Sequence, residues 1–143
     1  MKAIVYFVLI AIFAIPSMAQ DATAPITDEL RWFLTTVQVQ SSLEDAQDVA
    51  RTQTIKNTIV LATLYRDKID LSRSISALRK IHGQASSEKD RRLALAALQA
   101  IGTDLAREYV TLNATPEQYE EGRLVIASVL NDYYLAYTEN TTL

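Results

Sequence analysis

The 143-residue chain has no cysteine, one histidine, three glycines and three prolines, and its formal net charge is −3. Without thiols there is no disulfide frame, no thiolate metal site and no thiol nucleophile, so the fold must be held by apolar burial. A single imidazole, His82, leaves no partner of its own kind for a metal site or a catalytic dyad. A mildly acidic balance excludes the basic footprint of a nucleic-acid binder and the Lys/Arg excess that holds proteins on anionic membranes. So few glycines and prolines, with 49% hydrophobic residues, exclude a disordered chain and favour a compact helical one.

One apolar run stands apart. Lys2 precedes thirteen apolar residues, Ala3 to Ile15, and Pro16 then breaks the run before Ser17 and Ala19. A positive start, a run shorter than the about 20 residues needed to span a bilayer, and small residues three and one places before Gln20 form a secretory signal pattern. The expectation is a signal peptide at 1–19, a flexible leader at 20–26, one helical domain at 27–138 and a polar tail at 139–143. Export to the periplasm or beyond the cell follows, with no stable membrane insertion after cleavage. Whether the segment is removed or kept as an anchor stays open.

Helix signals fill the remainder. Thr27 caps a first helix in which Leu30, Phe33, Leu34 and Val37 fall at helical spacing beside Trp32, ending near Gln40. Ser41-Ser42-Leu43-Glu44 resembles a capping box opening a second helix that reaches about Lys68, with its strongest apolar segment from Ile55 to Tyr65. Asp70 and Ser72 start a third, whose stripe is Leu71, Ile75, Leu78 and Ile81 and whose end is marked by Gly83. Ser87 with Asp90 opens a fourth, stopped by Gly102; a fifth runs from about Asp104 to Leu112. Thr115-Pro116-Glu117-Gln118 combines a cap, a first-position proline and a capping-box glutamine, and starts a helix reaching about Tyr137. No segment alternates with period two between hairpin turns, so the fold class is all-α.

Three segments share a pattern: Ile59 to Leu64, Leu93 to Leu98 and Leu124 to Val129, at offsets of 34 and 31 residues. Each places large aliphatics first, third and sixth, with alanine fourth; Arg92 and Arg123 precede the second and third. Stacked antiparallel helix pairs would bury such faces together, each arginine pairing with acids of the adjoining unit. An irregular up-and-down helix bundle is the other architecture open to this pattern. The stretch DRRLALAALQAIG from Asp90 to Gly102, followed by Asp104, resembles the HEAT-like repeat family in its short form. That resemblance implies a scaffold presenting a helical surface to a protein partner, and no reaction.

Candidate chemistry is sparse. His82 beside Arg79 and Lys80 reads as a cation complementing the negative end of a helix, against a proton carrier as the sharper alternative. The carboxylates Glu44, Asp45 and Asp48, and Glu117, Glu120 and Glu121, lie in first turns where acids are favoured anyway, and match no calcium loop. Tyr119, Tyr133, Tyr134 and Tyr137, with Trp32, form the candidate interaction surface, since tyrosine joins apolar area to a polar tip; a core edge is the plainer role. Together these readings describe an exported, non-enzymatic helical scaffold with an unidentified protein partner in the envelope or outside the cell, needing no cofactor and binding no nucleic acid. The rival is a bundle carrying or sensing a small apolar ligand between its helices.

Overall fold

The computed structural model describes residues 26–45 and 47–141; the expected signal segment and most of the leader lie outside them. Among the described residues there are six α-helices, one 3-10 turn and no strand: α1 (Asp28–Asp45), α2 (Asp48–Leu64), the turn Ser72–Ser74, α3 (Ile75–Gln84), α4 (Glu88–Ile101), α5 (Asp104–Asn113) and α6 (Pro116–Thr141). The protein is an all-α helix bundle.

α4 is its centre. It packs against α2, α3, α5 and α6, while α2 also meets α6 and α3 meets α5. Nine of its fourteen residues are buried, among them Leu93, Ala94, Leu95, Ala96, Ala97 and Leu98. Alanines turned to different sides let several neighbours come close, and the leucines fill the space between them. Ile55 and Ile59 of α2, Ile75 and Leu78 of α3 and Leu98 of α4 are the large side chains withdrawn furthest from water. α2 is rich in β-branched residues, which are poor helix formers. Tertiary burial sustains it, and the hydroxyls of Thr54, Thr58 and Thr63 donate to carbonyls four residues back at 2.8–2.9 Å.

Polar clamps fix the packing. Asp90, 1% exposed, accepts from Thr52 Oγ1 at 2.6 Å and from Arg51 Nε at 3.3 Å, tying α4 to α2. Arg66 Nη2 reaches the Ala100 carbonyl at 3.0 Å, satisfying an acceptor in the last turn of α4. Gln99 Nε2 donates to the Tyr119 carbonyl at 3.1 Å. Its amide occupies the space that a side chain on Gly122 would fill, which brings α6 close to α4.

Helix ends divide into those that follow their signals and those that do not. Ser87 Oγ accepts from Asp90 N at 3.2 Å, and Gly102 closes α4 in the left-handed region at φ 61°. Thr115 and Gln118 make a reciprocal capping box, Thr115 Oγ1 accepting from Gln118 N and Gln118 Oε1 from Thr115 N. Ser41, by contrast, does not open a helix: α1 runs on to Asp45, because Leu43 continues the buried line of Val39 one turn further. Nor does Gly83 close α3, which runs through it to Gln84; only Gly102 among the described glycines has positive φ. α2 stops at Leu64, short of Lys68, and α6 reaches Thr141, past Tyr137 and into the stretch read as a polar tail.

α1 also reverses its expected face. Thr35, Thr36, Val39 and Leu43 turn inward, the two threonines donating to the carbonyls of Arg31 and Trp32 at 2.9 and 3.0 Å. Leu30, Phe33, Leu34 and Val37 face outward, 39–51% exposed. The third copy of the aliphatic pattern departs as well. Ile59, Leu61, Leu93, Leu95 and Leu98 are buried, whereas Leu124 stands 72% exposed.

Candidate partner-binding surface

Three elements bring aromatic rings together at one surface. Tyr65 closes α2, its N–H bonded to the Leu61 carbonyl at 3.0 Å. Its ring lies 5.5 Å from that of Trp32 on α1, tilted by 36°. On the other side the Tyr65 and Tyr133 hydroxyls are 3.3 Å apart, linking α2 to α6. Tyr133 meets Tyr134 edge-on at 5.8 Å and stacks on Tyr137 at 6.5 Å. The result is a continuous chain of rings from Trp32 through Tyr65 and Tyr133 to Tyr134 and Tyr137. Its inner members are half-buried and pack on the core, and Tyr134 and Tyr137 are exposed.

The inner ring pair is electrostatically quiet. Burial pushes the Tyr133 phenol well above its ordinary value, and the hydrogen bond with Tyr65 adds to the shift. It therefore stays neutral, and its hydroxyl makes a hydrogen-bonding contact with Tyr65.

Of the five residues singled out in the sequence, Trp32, Tyr133, Tyr134 and Tyr137 share this surface. Tyr119 does not join it. It lies fourteen residues before Tyr133 on the same helix, about 21 Å away at 1.5 Å per residue, where its carbonyl receives Gln99. Tyr65 is the member that sequence reasoning passed over. The available signal was its place at the end of the strongest apolar segment, where a core helix delivers its last ring to the surface.

His82 occupies the last turn of α3 as expected, yet its role differs. Its Nδ1 lies 2.9 Å from the Tyr109 hydroxyl, and the two rings meet edge-on at 5.7 Å, joining α3 to α5. The Arg79 guanidinium lies over the Tyr109 ring at 4.9 Å. Burial, and then the nearby Arg91 charge, hold the imidazole below 6.5, its ordinary value. His82 is thus a neutral hydrogen-bonding bridge, which replaces its reading as a cation for the helix dipole.

The carboxylates are likewise distributed. Among the described residues no three His, Cys, Asp or Glu side chains converge in a way that could hold a metal ion. Asp48 pairs with Arg51 at 2.6 Å, Glu121 with Arg92 at 2.7 Å and Glu120 with Arg123 at 3.5 Å. Arg92 therefore crosses from α4 to α6, bonding Glu88 as well. Arg123 pairs within its own helix instead.

No protein-family model, curated protein or solved structure matches this chain. The surface must therefore be interpreted from its own chemistry. Two open grooves have walls of mixed character: one of about 490 Å³ between α4 and α6, at the far end from the ring chain, includes His82, Arg91, Arg92 and Glu121, and one of about 480 Å³ beside α1 includes Trp32, Phe33, Asp67, Lys68 and Arg73. No described helix is long and apolar enough to cross a membrane.

Proposed function

We propose that this protein is an exported, non-enzymatic helical scaffold that binds a protein partner through the ring chain of Trp32, Tyr65, Tyr133, Tyr134 and Tyr137. The observation that carries the reading is the union of rings from three elements, anchored inside and exposed at Tyr134 and Tyr137. Aromatic residues that are rigidly backed and partly open are the usual anchors of binding energy, because little ordering entropy remains to be lost on contact. The N-terminal signal pattern supports export. The HEAT-like segment over α4 and α5 supports a scaffold role, since members of that family mostly bind proteins.

Capture from the envelope fraction of its own cells tests the reading, comparing the unaltered protein with a Tyr134→Ala, Tyr137→Ala variant. The expected result is one partner retained by the unaltered protein and bound at least about tenfold more weakly by the variant. Recovery of the same partner in equal amount by both, or of none by either, overturns the assignment.

A further inference from the structure

The outer face of α1 is apolar where a bundle's outer face should be polar. Leu30, Phe33, Leu34 and Val37 stand at i, i+3, i+4 and i+7, one continuous stripe, and each is 39–51% exposed. That spacing is the anchor pattern by which one helix receives another. Acidic groups border the stripe at both ends. Glu29 precedes it, Glu44 follows Val37 two turns on along the same side of the helix, and Asp45 lies on the flank about 80° round from that line. No basic residue lies in the last turn of α1. Glu44 and Asp45 therefore face the negative end of the macrodipole uncompensated, an arrangement that disfavours the isolated helix.

The groove beside the stripe has the same character. It holds about 480 Å³, has Trp32 and Phe33 among its walls, and its charged lining is four carboxylates against two cations. One of those cations, Arg73, already places its guanidinium over the Phe33 ring at 5.7 Å, so the outward aromatic accepts a positive group. Asp28 pairs with Arg31, and Asp70 with Ser72. Glu29 and Asp67 have no ion-pair partner among the described residues.

We propose that the outer face of α1 docks an amphipathic helix with basic flanks. Its apolar side chains lie on Leu30, Phe33, Leu34 and Val37, and its Lys or Arg side chains meet Glu29, Glu44 and Asp45. A second copy of α1 is the poorer occupant. Antiparallel pairing sets Glu29 against Glu44 and Asp45, and parallel pairing sets each acidic end against itself, so both directions bring like charges together. An anionic bilayer surface is repelled by the same groups. This docking face adjoins the ring chain at Trp32, but it is carried by the outward stripe of α1 and the acids beside it and does not rest on that assignment.

Trp32 is the only tryptophan and borders both this groove and the ring of Tyr65, so its fluorescence reports binding at either place and the variants below tell the two apart. The probe is a Leu/Lys amphipathic peptide of 18 residues, the length of α1, with a Leu/Glu peptide of the same pattern as its counterpart. The expected result is a saturable blue shift with the Leu/Lys peptide alone, weakened by added salt. Leu34→Asp, and separately the pair Glu44→Lys and Asp45→Lys, should each weaken binding at least about tenfold, while Tyr134→Ala, Tyr137→Ala leaves it unchanged. Equal binding of both peptides, or indifference to the α1 variants, overturns the proposal. So does a dimer in sedimentation that Leu34→Asp dissociates, or a Trp32 response to anionic vesicles in place of the peptide.

Discussion

Replacing Asp90 by alanine should loosen the crossing of α2 and α4 more than any other single polar change. The carboxylate is 1% exposed, with one oxygen 2.6 Å from the Thr52 hydroxyl and the other 3.3 Å from Arg51 Nε. Two hydrogen bonds to a charged group, at about 1.5–3 kcal/mol each, set a gross contribution of about 3–6 kcal/mol. The net cost is smaller. Arg51 is 21% exposed and retains Asp48 at 2.6 Å, so its charge is not stranded when Asp90 is removed. The Ser87 cap also survives, because it bonds the backbone N–H of residue 90 and not the carboxylate. A loss of about 2–4 kcal/mol is expected. Denaturant unfolding followed by helical circular dichroism measures it, with Thr52→Val and the double variant completing a cycle that isolates the Asp90–Thr52 coupling. A loss below about 0.5 kcal/mol, the size of an ordinary surface change, would refute the view that this carboxylate holds the two helices together.

Two further outcomes follow from the core and from His82. Leu98→Ala removes a fully buried side chain from the central helix and should cost about 2–5 kcal/mol in the same denaturation assay; a surface-sized loss would place Leu98 outside the core. The folded His82 imidazole titrates below 6.5, so between that pH and its folded value the unfolded chain binds the extra proton. Its contribution is complete above pH 6.5 and is lost as the pH falls below it. Stability should decline there in the unaltered protein and decline less in His82→Phe, and the single imidazole resonance should show a midpoint under 6.5; a midpoint at or above that value contradicts the burial of the neutral imidazole beside Arg91.

The sequence made α4 and α6 the most legible elements, because their starts and the end of α4 use backbone bonding groups of fixed geometry. The Ser87 cap, the Thr115–Gln118 box and the left-handed Gly102 all form as their residue types require. Ser41 and Gly83 carry the same residue types without the same outcome. A serine hydroxyl offers only an optional bond, and burial of Leu43 decides the course of α1 instead. A glycine is compatible with helix as well as with its end. The orientation of α1 was illegible for a different reason: it has apolar side chains on both sides, Trp32, Val39 and Leu43 within and Leu30, Phe33, Leu34 and Val37 without. Thr35 and Thr36 satisfy their hydroxyls on the helix itself and so pass as core residues. Of the ring chain, helical spacing already places Tyr133 and Tyr137 on one side of α6. Their meeting with Tyr65 and Trp32 depends on how α1, α2 and α6 converge, which no local pattern encodes.

The position of α4 has a last consequence. Because four other helices rest on it, removing any one pair of neighbours should strip apolar cover from α4 and weaken the whole core together. Amides in the middle of that helix should therefore be among the slowest to exchange with deuterated solvent, at rates set by the opening of the whole assembly.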